Sequence, residues 1–232
     1  KDLSGFSLFA IQGPKSLEVL MRHCKDLKYL EFMQSTLVNI LGIEIFVMRS
    51  GYTGEVGFEI SVQNSHANDL ASILLAEPEV KLAGLAARDL LRLEAGFCLY
   101  GKDLTESITP IEAGLGWTIS KRRRIEGGFH GDSKIQKQLS DGVKNKRVGL
   151  KLLHKSIARE GAIVSRANKE FYGIVSSGGF SPFLDMPIAM AYVSSEKNIN
   201  LDKVFVEVRG KLIPAKLVQM PFVSHKSNMK LN

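Results

Sequence analysis

Gly51-Tyr52-Thr53-Gly54-Glu55-Val56-Gly57-Phe58-Glu59-Ile60-Ser61-Val62 is the stretch from which the fold can be read outward. Val56, Phe58, Ile60 and Val62 alternate with Gly57, Glu59 and Ser61, which predicts a half-buried strand entered from a glycine-rich turn. The same period of two puts Glu55 and Glu59 together on the face opposite the apolar one. Upstream, Leu37 to Ile40 and Ile43 to Met48 are β-rich runs separated by Leu41-Gly42, the pattern of a hairpin. Further back, Leu8 to Ile11 ends at the breaker pair Gly13-Pro14, and a helix is expected from Ser16 to His23. Downstream, Asn64-Ser65 reads as the N-cap of a helix carrying Ala67, Leu70, Ala71 and Leu74, which Pro78 stops. A second helix is expected from about Gly84 to Phe97. Its apolar stripe is Ala86, Leu90, Leu93 and Phe97, with Arg88 and Arg92 together off that stripe. Helices interleaved with hairpin-connected strands predict an α+β layer with helices packed on a mostly antiparallel sheet.

Beyond this layer the pattern changes. Ser120 to Lys146 is basic, contains glycine and has little periodicity, so it reads as the boundary. After it no convincing helix is predicted. Arg147 to Leu153 alternates, as do Val204, Val206 and Val208 before an Arg209-Gly210-Lys211 turn. Short strands with glycine turns point to a small barrel or sandwich. Gly178-Gly179, ahead of Phe180-Ser181-Pro182, reads as a turn rather than a phosphate cradle.

Composition narrows the function classes. The chain has 232 residues, 44% hydrophobic and 24% charged, as in an ordinary globular protein of one or two domains. No apolar run approaches the ~18 residues of a membrane-spanning helix. Cys24 and Cys98 are too few for a disulfide framework, and a reducing compartment is the default. The net charge of +7 favours anionic partners, and much of the excess lies in Lys121-Arg122-Arg123-Arg124 and Lys144-Asn145-Lys146-Arg147. No aromatic residues interleave the first cluster, which argues against single-stranded nucleic acid.

Several chemistries lack their motifs. There is no GxGxxG before a helix, no GxxxxGK[ST], no HExxH and no GxSxG, and His23, His66, His130, His154 and His225 are scattered. No metal site is expected. Three residues stand out instead. Glu59, a carboxylate on a short strand, can accept two N–H donors at once; the alternative is a solvated carboxylate on an open sheet face. Arg88 offers a planar fork for a carboxylate; the alternatives are a surface helix arginine, or one structured by nearby acids. Arg92 is more simply the i+3 partner of Asp89. Trp117, between Gly116 and Thr118, is either a core anchor or a ring-stacking surface.

Ordered segments along the chain resemble the T-protein family of the glycine cleavage system, the tetrahydrofolate-dependent aminomethyltransferases. They are Ala10-Ile11-Gln12-Gly13-Pro14, Gly51 to Glu55, Phe58 to Val62, Leu82 to Asp89 continuing through Leu91 to Gly96, and Leu99-Tyr100-Gly101. Gly116-Trp117-Thr118, Lys121 to Arg124, Ser176 to Pro182, Ala189 to Val193, Val208 to Lys211 and Met220 to Val223 continue the match.

The resemblance implies a partial folate-binding domain over residues 1–125, a linker over 126–145, a C-terminal all-β barrel over 146–225 and a tail over 226–232. It implies transfer of a one-carbon unit from the aminomethyl-dihydrolipoyl arm of H-protein to tetrahydrofolate, with release of ammonia, in the mitochondrion. Glu59 matches the residue that holds the pterin, Arg88 the one at the folate tail, and Trp117 a position lining the site. The family's key aspartate lies upstream of the Gln-Gly-Pro motif. Asp2 does not match it, so no catalytic residue is assigned and the chain alone is expected to be inactive. No nucleic acid, membrane insertion or metal is implied. The alternatives are a non-catalytic folate-binding module and the folate domain of a dimethylglycine or sarcosine dehydrogenase.

Overall fold

The computed structural model describes residues 2–167, 170–195 and 204–226. The chain forms two compact units, one of Lys1–Ala95 with Ser224–Asn232 and one of Gly96–Val223.

The first unit is an antiparallel sheet with helices on one face. Its strands are β1 (Phe6–Gln12), β2 (Ser35–Ile40), β3 (Ile43–Met48) and β4 (Gly57–Gln63), in the order β1-β4-β3-β2. The expected hairpin joins β2 to β3, and Leu41 and Gly42 both take positive φ, at 49° and 88°. Two residues in that region match the twist of the flanking strands. Alternation in β4 sends Phe58, Ile60 and Val62 into a core with Ile45 and Val47. There they meet Val19 and Leu20 of α1 (Ser16–His23) and Leu70 and Leu74 of α2 (Ala67–Leu75). The other face is open: Leu8, Phe46 and Leu37 lie in one row across it, joined through Ser61, and Leu8 is 71% exposed.

Local details depart from expectation for physical reasons. Asn64 and Ser65 fall in a 3-10 turn, Asn64–His66, and α2 has no side-chain cap. The Asn64 amide instead serves β1, accepting from Ser7 Oγ at 2.8 Å and donating to Ser4 O at 2.9 Å. Helix α3 (Leu85–Glu94) ends before Phe97 because Gly96 turns left-handed at φ 71°. Burial on α3 runs along its axis rather than around it. Leu85, Ala86 and Ala87 are exposed, whereas Arg92, Leu93 and Glu94 in the last turn are buried. Arg92, expected beside Arg88 off the apolar stripe, is 1% exposed.

The second unit carries the barrel. Before it, α4 (Lys121–Glu126) and α5 (Asp132–Asp141) occupy much of the stretch read as irregular, and α5 lies inside the expected linker 126–145. Ile135 is the one buried residue of α5, so the helix leaves no apolar stripe to read. The strands are β5 (Asn145–Leu152), β6 (Ile163–Ser165), β7 (Phe171–Ser181), β8 (Met186–Ser194), β9 (Val204–Val208) and β10 (Lys211–Val218). They close in the order β10-β5-β8-β7-β6-β9 around Leu150, Val164, Tyr172, Val175, Ala191 and Val206. The α+β layer and the small all-β barrel expected from the sequence are both present.

Gly178-Gly179 is not a turn; it pairs with Ala189 and Ile188 inside β7–β8. A Cβ on Gly178 would lie 2.3 Å from Ala158 O, so glycine there permits close backbone approach. Asp103, fully buried, anchors the loop before α4 to the barrel. It accepts from Ser176 Oγ at 2.5 Å, Ser177 Oγ at 2.9 Å and Leu99 N at 2.9 Å. Tyr192 donates its hydroxyl to Asp103 O at 2.7 Å, and burial pushes that phenol's pKa well up. Of the expected tail 226–232, only Lys226 is among the described residues.

Candidate functional site

Two of the three singled-out residues meet on one turn. Met48 ends β3 and pairs with Glu59 of β4 in register, so Ser50, two residues further on, reaches the carboxylate and donates its hydroxyl to Glu59 Oε2. Glu59 also pairs with Ala10 on its other side. The carboxylate is thus half-buried between two apolar cross-strand neighbours. The carboxylate can accept N–H donors beside an apolar surface.

Tyr52, in the same turn, lies against Arg88 of α3, whose guanidinium carbon sits 5.3 Å from the ring centroid. Stacking of this kind holds a guanidinium plane without consuming its donors. The acid nearest in sequence is engaged elsewhere, since Arg92 Nε donates to Asp89 Oδ1 at 2.7 Å. Among the described residues Arg88 has no carboxylate partner. Of the two plain readings of Arg88, one structured by nearby acids loses support and a surface helix arginine stays open, while Arg92 is the partner of Asp89.

Gln12 carries a role that sequence reasoning missed, although it stands in a motif already noticed. Its Nε2 donates to Ser50 O at 3.1 Å and to Phe58 O at 3.2 Å, and its Oε1 accepts from Thr53 Oγ1 at 3.0 Å. One amide thus pins the beginning and middle of the turn and the start of β4. The side chain fits because Gly51 and Gly57 leave room: a Cβ there would lie 2.0 Å and 2.5 Å from it. The glycines that flank Tyr52 and Phe58 supply a slot for Gln12, and the spacing of the motif was the available signal.

Glu55 does not share the face of Glu59, as the alternation predicted. The strand begins at Gly57, which leaves Glu55 in the turn, where Lys226 Nζ pairs with its Oε1 at 2.8 Å. Trp117 belongs to the second unit, on the 3-10 turn Gly116–Thr118, and is 75% exposed, so it is no core anchor. The basic cluster is partly committed. Arg122 pairs with Glu126 at 3.0 Å, and Arg123 Nη1 donates to the carbonyls of Gly127 and Gly128. Among the described residues no group of three or more His, Cys, Asp or Glu could hold a metal ion. No helix among them is long and apolar enough to cross a membrane.

Comparison with known proteins shows the family. Residues 1–123 match the GCVT N-terminal domain, and residues 145–224 match the glycine cleavage T-protein C-terminal barrel domain. A mitochondrial aminomethyltransferase of Dictyostelium discoideum is 49% identical, over 95% of this chain and 57% of that protein. One from Mesembryanthemum crystallinum is 48% identical, over 95% and 54%. The crystal structure of glycine cleavage system aminomethyltransferase T from Bartonella henselae superposes with a TM-score of 0.87 at 40% identity, covering 95% of this chain and 60% of that one. The chain spans a little over half the length of the curated relatives it matches. With two family domains in order across it, the chain belongs to the glycine cleavage T-protein family.

Proposed function

We propose that this protein serves as a tetrahydrofolate-dependent aminomethyltransferase of the glycine cleavage system. In that reaction the one-carbon unit passes from the aminomethyl-dihydrolipoyl arm of H-protein to tetrahydrofolate, and ammonia leaves. One observation carries the reading. A single turn holds Glu59 through Ser50 and Arg88 through Tyr52, and Arg88 has no carboxylate partner among the described residues. Glu59 accepts from the amino-pyrimidine edge of the pterin, and Arg88 takes the carboxylate of the glutamate tail. Two anchors at opposite ends of an elongated substrate fix its orientation. Trp117 is included as a residue lining the site on the family resemblance alone, with residues 1–125 supplying folate binding and 146–225 the barrel. The chain's own residues bind and orient; none is assigned a bond-making step.

The partner is an acidic lipoyl carrier, drawn to a chain of net charge +7. Lys121 and Arg122 supply the exposed part of the basic cluster. The mitochondrion is the proposed location, as in the names of the relatives.

Calorimetric titration of tetrahydrofolate tests the reading. Arg88→Ala and Glu59→Gln should each weaken binding by about tenfold or more, as expected for hydrogen bonds to charged groups. Affinity unchanged in both would overturn it.

A further inference from the structure

We infer that His225-Lys226 is a brace for the candidate folate site, positioning Arg88 and Glu59 relative to each other; the inference rests on the tetrahydrofolate reading above. The dipeptide grips two elements at once. Lys226 N donates to Gly54 O at 2.7 Å, and Lys226 Nζ pairs with Glu55 Oε1 at 2.8 Å. His225 Nε2 lies 2.6 Å from Ala95 O, and since a carbonyl only accepts, Nε2 carries the proton.

These attachment points are the ends of the site's two supports. Ala95 is the residue directly beyond α3, the helix that bears Arg88. Gly54 and Glu55 close the turn whose Ser50 and Tyr52 hold Glu59 and Arg88. Gln12 fixes the beginning and middle of that turn, at Ser50 and Thr53. The dipeptide fixes its far end and ties it to the helix. Packing is as close as the bonding. A Cβ on Gly54 would sit 2.9 Å from Ala95 Cβ and 3.4 Å from His225 Cδ2, and Gly54 has φ 76°. No other residue type fits there without strain.

Exposed ion pairs add little to global stability. The loss of Lys226 should therefore appear in how the site holds its ligand rather than in unfolding. Lys226 and His225 act through Arg88 and the turn, so they are positioning residues.

The experiment titrates tetrahydrofolate into the protein and into Lys226→Met, Lys226→Arg, Arg88→Lys and the Lys226→Met/Arg88→Lys double variant, with urea unfolding of each. Lys226→Met should weaken binding by about fivefold, the upper reach of an exposed pair, with its unfolding midpoint unchanged. Lys226→Arg should restore affinity. On the Arg88→Lys background Lys226→Met should lose most of its effect, because the brace acts through the guanidinium it aligns. Unchanged affinity in Lys226→Met, or a loss that adds in full on the Arg88→Lys background, overturns the brace. A protein that binds no tetrahydrofolate overturns the folate reading and the brace with it. One that loses affinity with Arg88→Lys but not with Lys226→Met overturns the brace alone.

Discussion

Ser50 Oγ donates to Glu59 Oε2, so the end of β3 orients the carboxylate on β4. The bond leaves the other carboxylate oxygen for a ligand and holds the group in one rotamer. On the tetrahydrofolate reading proposed above, Ser50→Ala should weaken binding by about three- to tenfold, the range of one hydrogen bond's net contribution. The fold should be unaffected, since Ser50 is only half-buried. Calorimetry beside urea unfolding checks this; equal affinity would show that Glu59 needs no orienting partner.

Gln12 and Gly51 should behave as one unit. Gln12→Ala removes three part-buried side-chain bonds, to the carbonyls of Ser50 and Phe58 and from Thr53 Oγ1, a cost of about 1–3 kcal/mol. Gly51→Ala puts a methyl 2.0 Å from Gln12 Oε1, which expels the same side chain. The double variant should then be scarcely less stable than either single one. Urea denaturation of the set decides it, and fully additive losses would mean that Gly51 serves the turn by another route.

What the sequence alone disclosed follows the range of the interaction concerned. Alternation in β4 and β9 and the two-residue turns at Leu41-Gly42 and Arg209-Gly210 are local patterns, and each was legible. Arg88 and Glu59 stood out as chemistry suited to a ligand, and Gly51 to Gly54 read as a turn, but that the turn joins the two residues was not legible. Tyr52 and Arg88 are far apart along the chain, and no periodicity records their meeting. Gln12 was hidden for the same reason, its partners lying 38 to 46 residues away. Helix α5 hides because one buried residue makes no stripe. The burial of Arg92 went unread because helical periodicity describes burial around an axis and is silent about burial along it.

Asp103 is the critical polar group of the second unit. Its carboxylate gathers two hydroxyls and a backbone N–H with no exposure to water. Asp103→Ala removes the acceptor these three donors share, although Ser176 Oγ keeps Met190 O at 3.3 Å, and should destabilise the unit by about 1–3 kcal/mol. Asp103→Asn keeps the shape but turns one acceptor into a donor facing hydroxyl and amide protons, and should recover only part of the loss. Chemical denaturation monitored in the barrel checks the order; equal stability of Asp103→Ala and the parent would show that the loop is held without the Asp103 carboxylate.

Arg22 on α1 gathers Glu18 of its own helix and two acids from the segment after α2, and that exposed network should add a small, acid-sensitive increment to the stability of the first unit. Its Nη1 and Nη2 donate to the two oxygens of Glu79 at 2.9 and 2.7 Å, Nη1 also bonds Glu77, and Nη2 bonds Glu18 at 3.0 Å. Hydrogen bonding from Arg22 draws Glu79 down from 4.5 to about 2 and lowers Glu77 as well. A carboxyl held below its unfolded value releases its proton more readily in the folded state. Its contribution is therefore complete above 4.5 and disappears as the pH falls through about 2. Arg22→Ala should be less stable than the parent at neutral pH, with a gap that narrows steadily once the solution is more acidic than 4.5. Carboxyl titration by NMR should place Glu79 near 2 in the parent and well above it in Arg22→Ala. A Glu79 midpoint insensitive to that substitution would show that the backbone, rather than Arg22, holds the carboxylate charged.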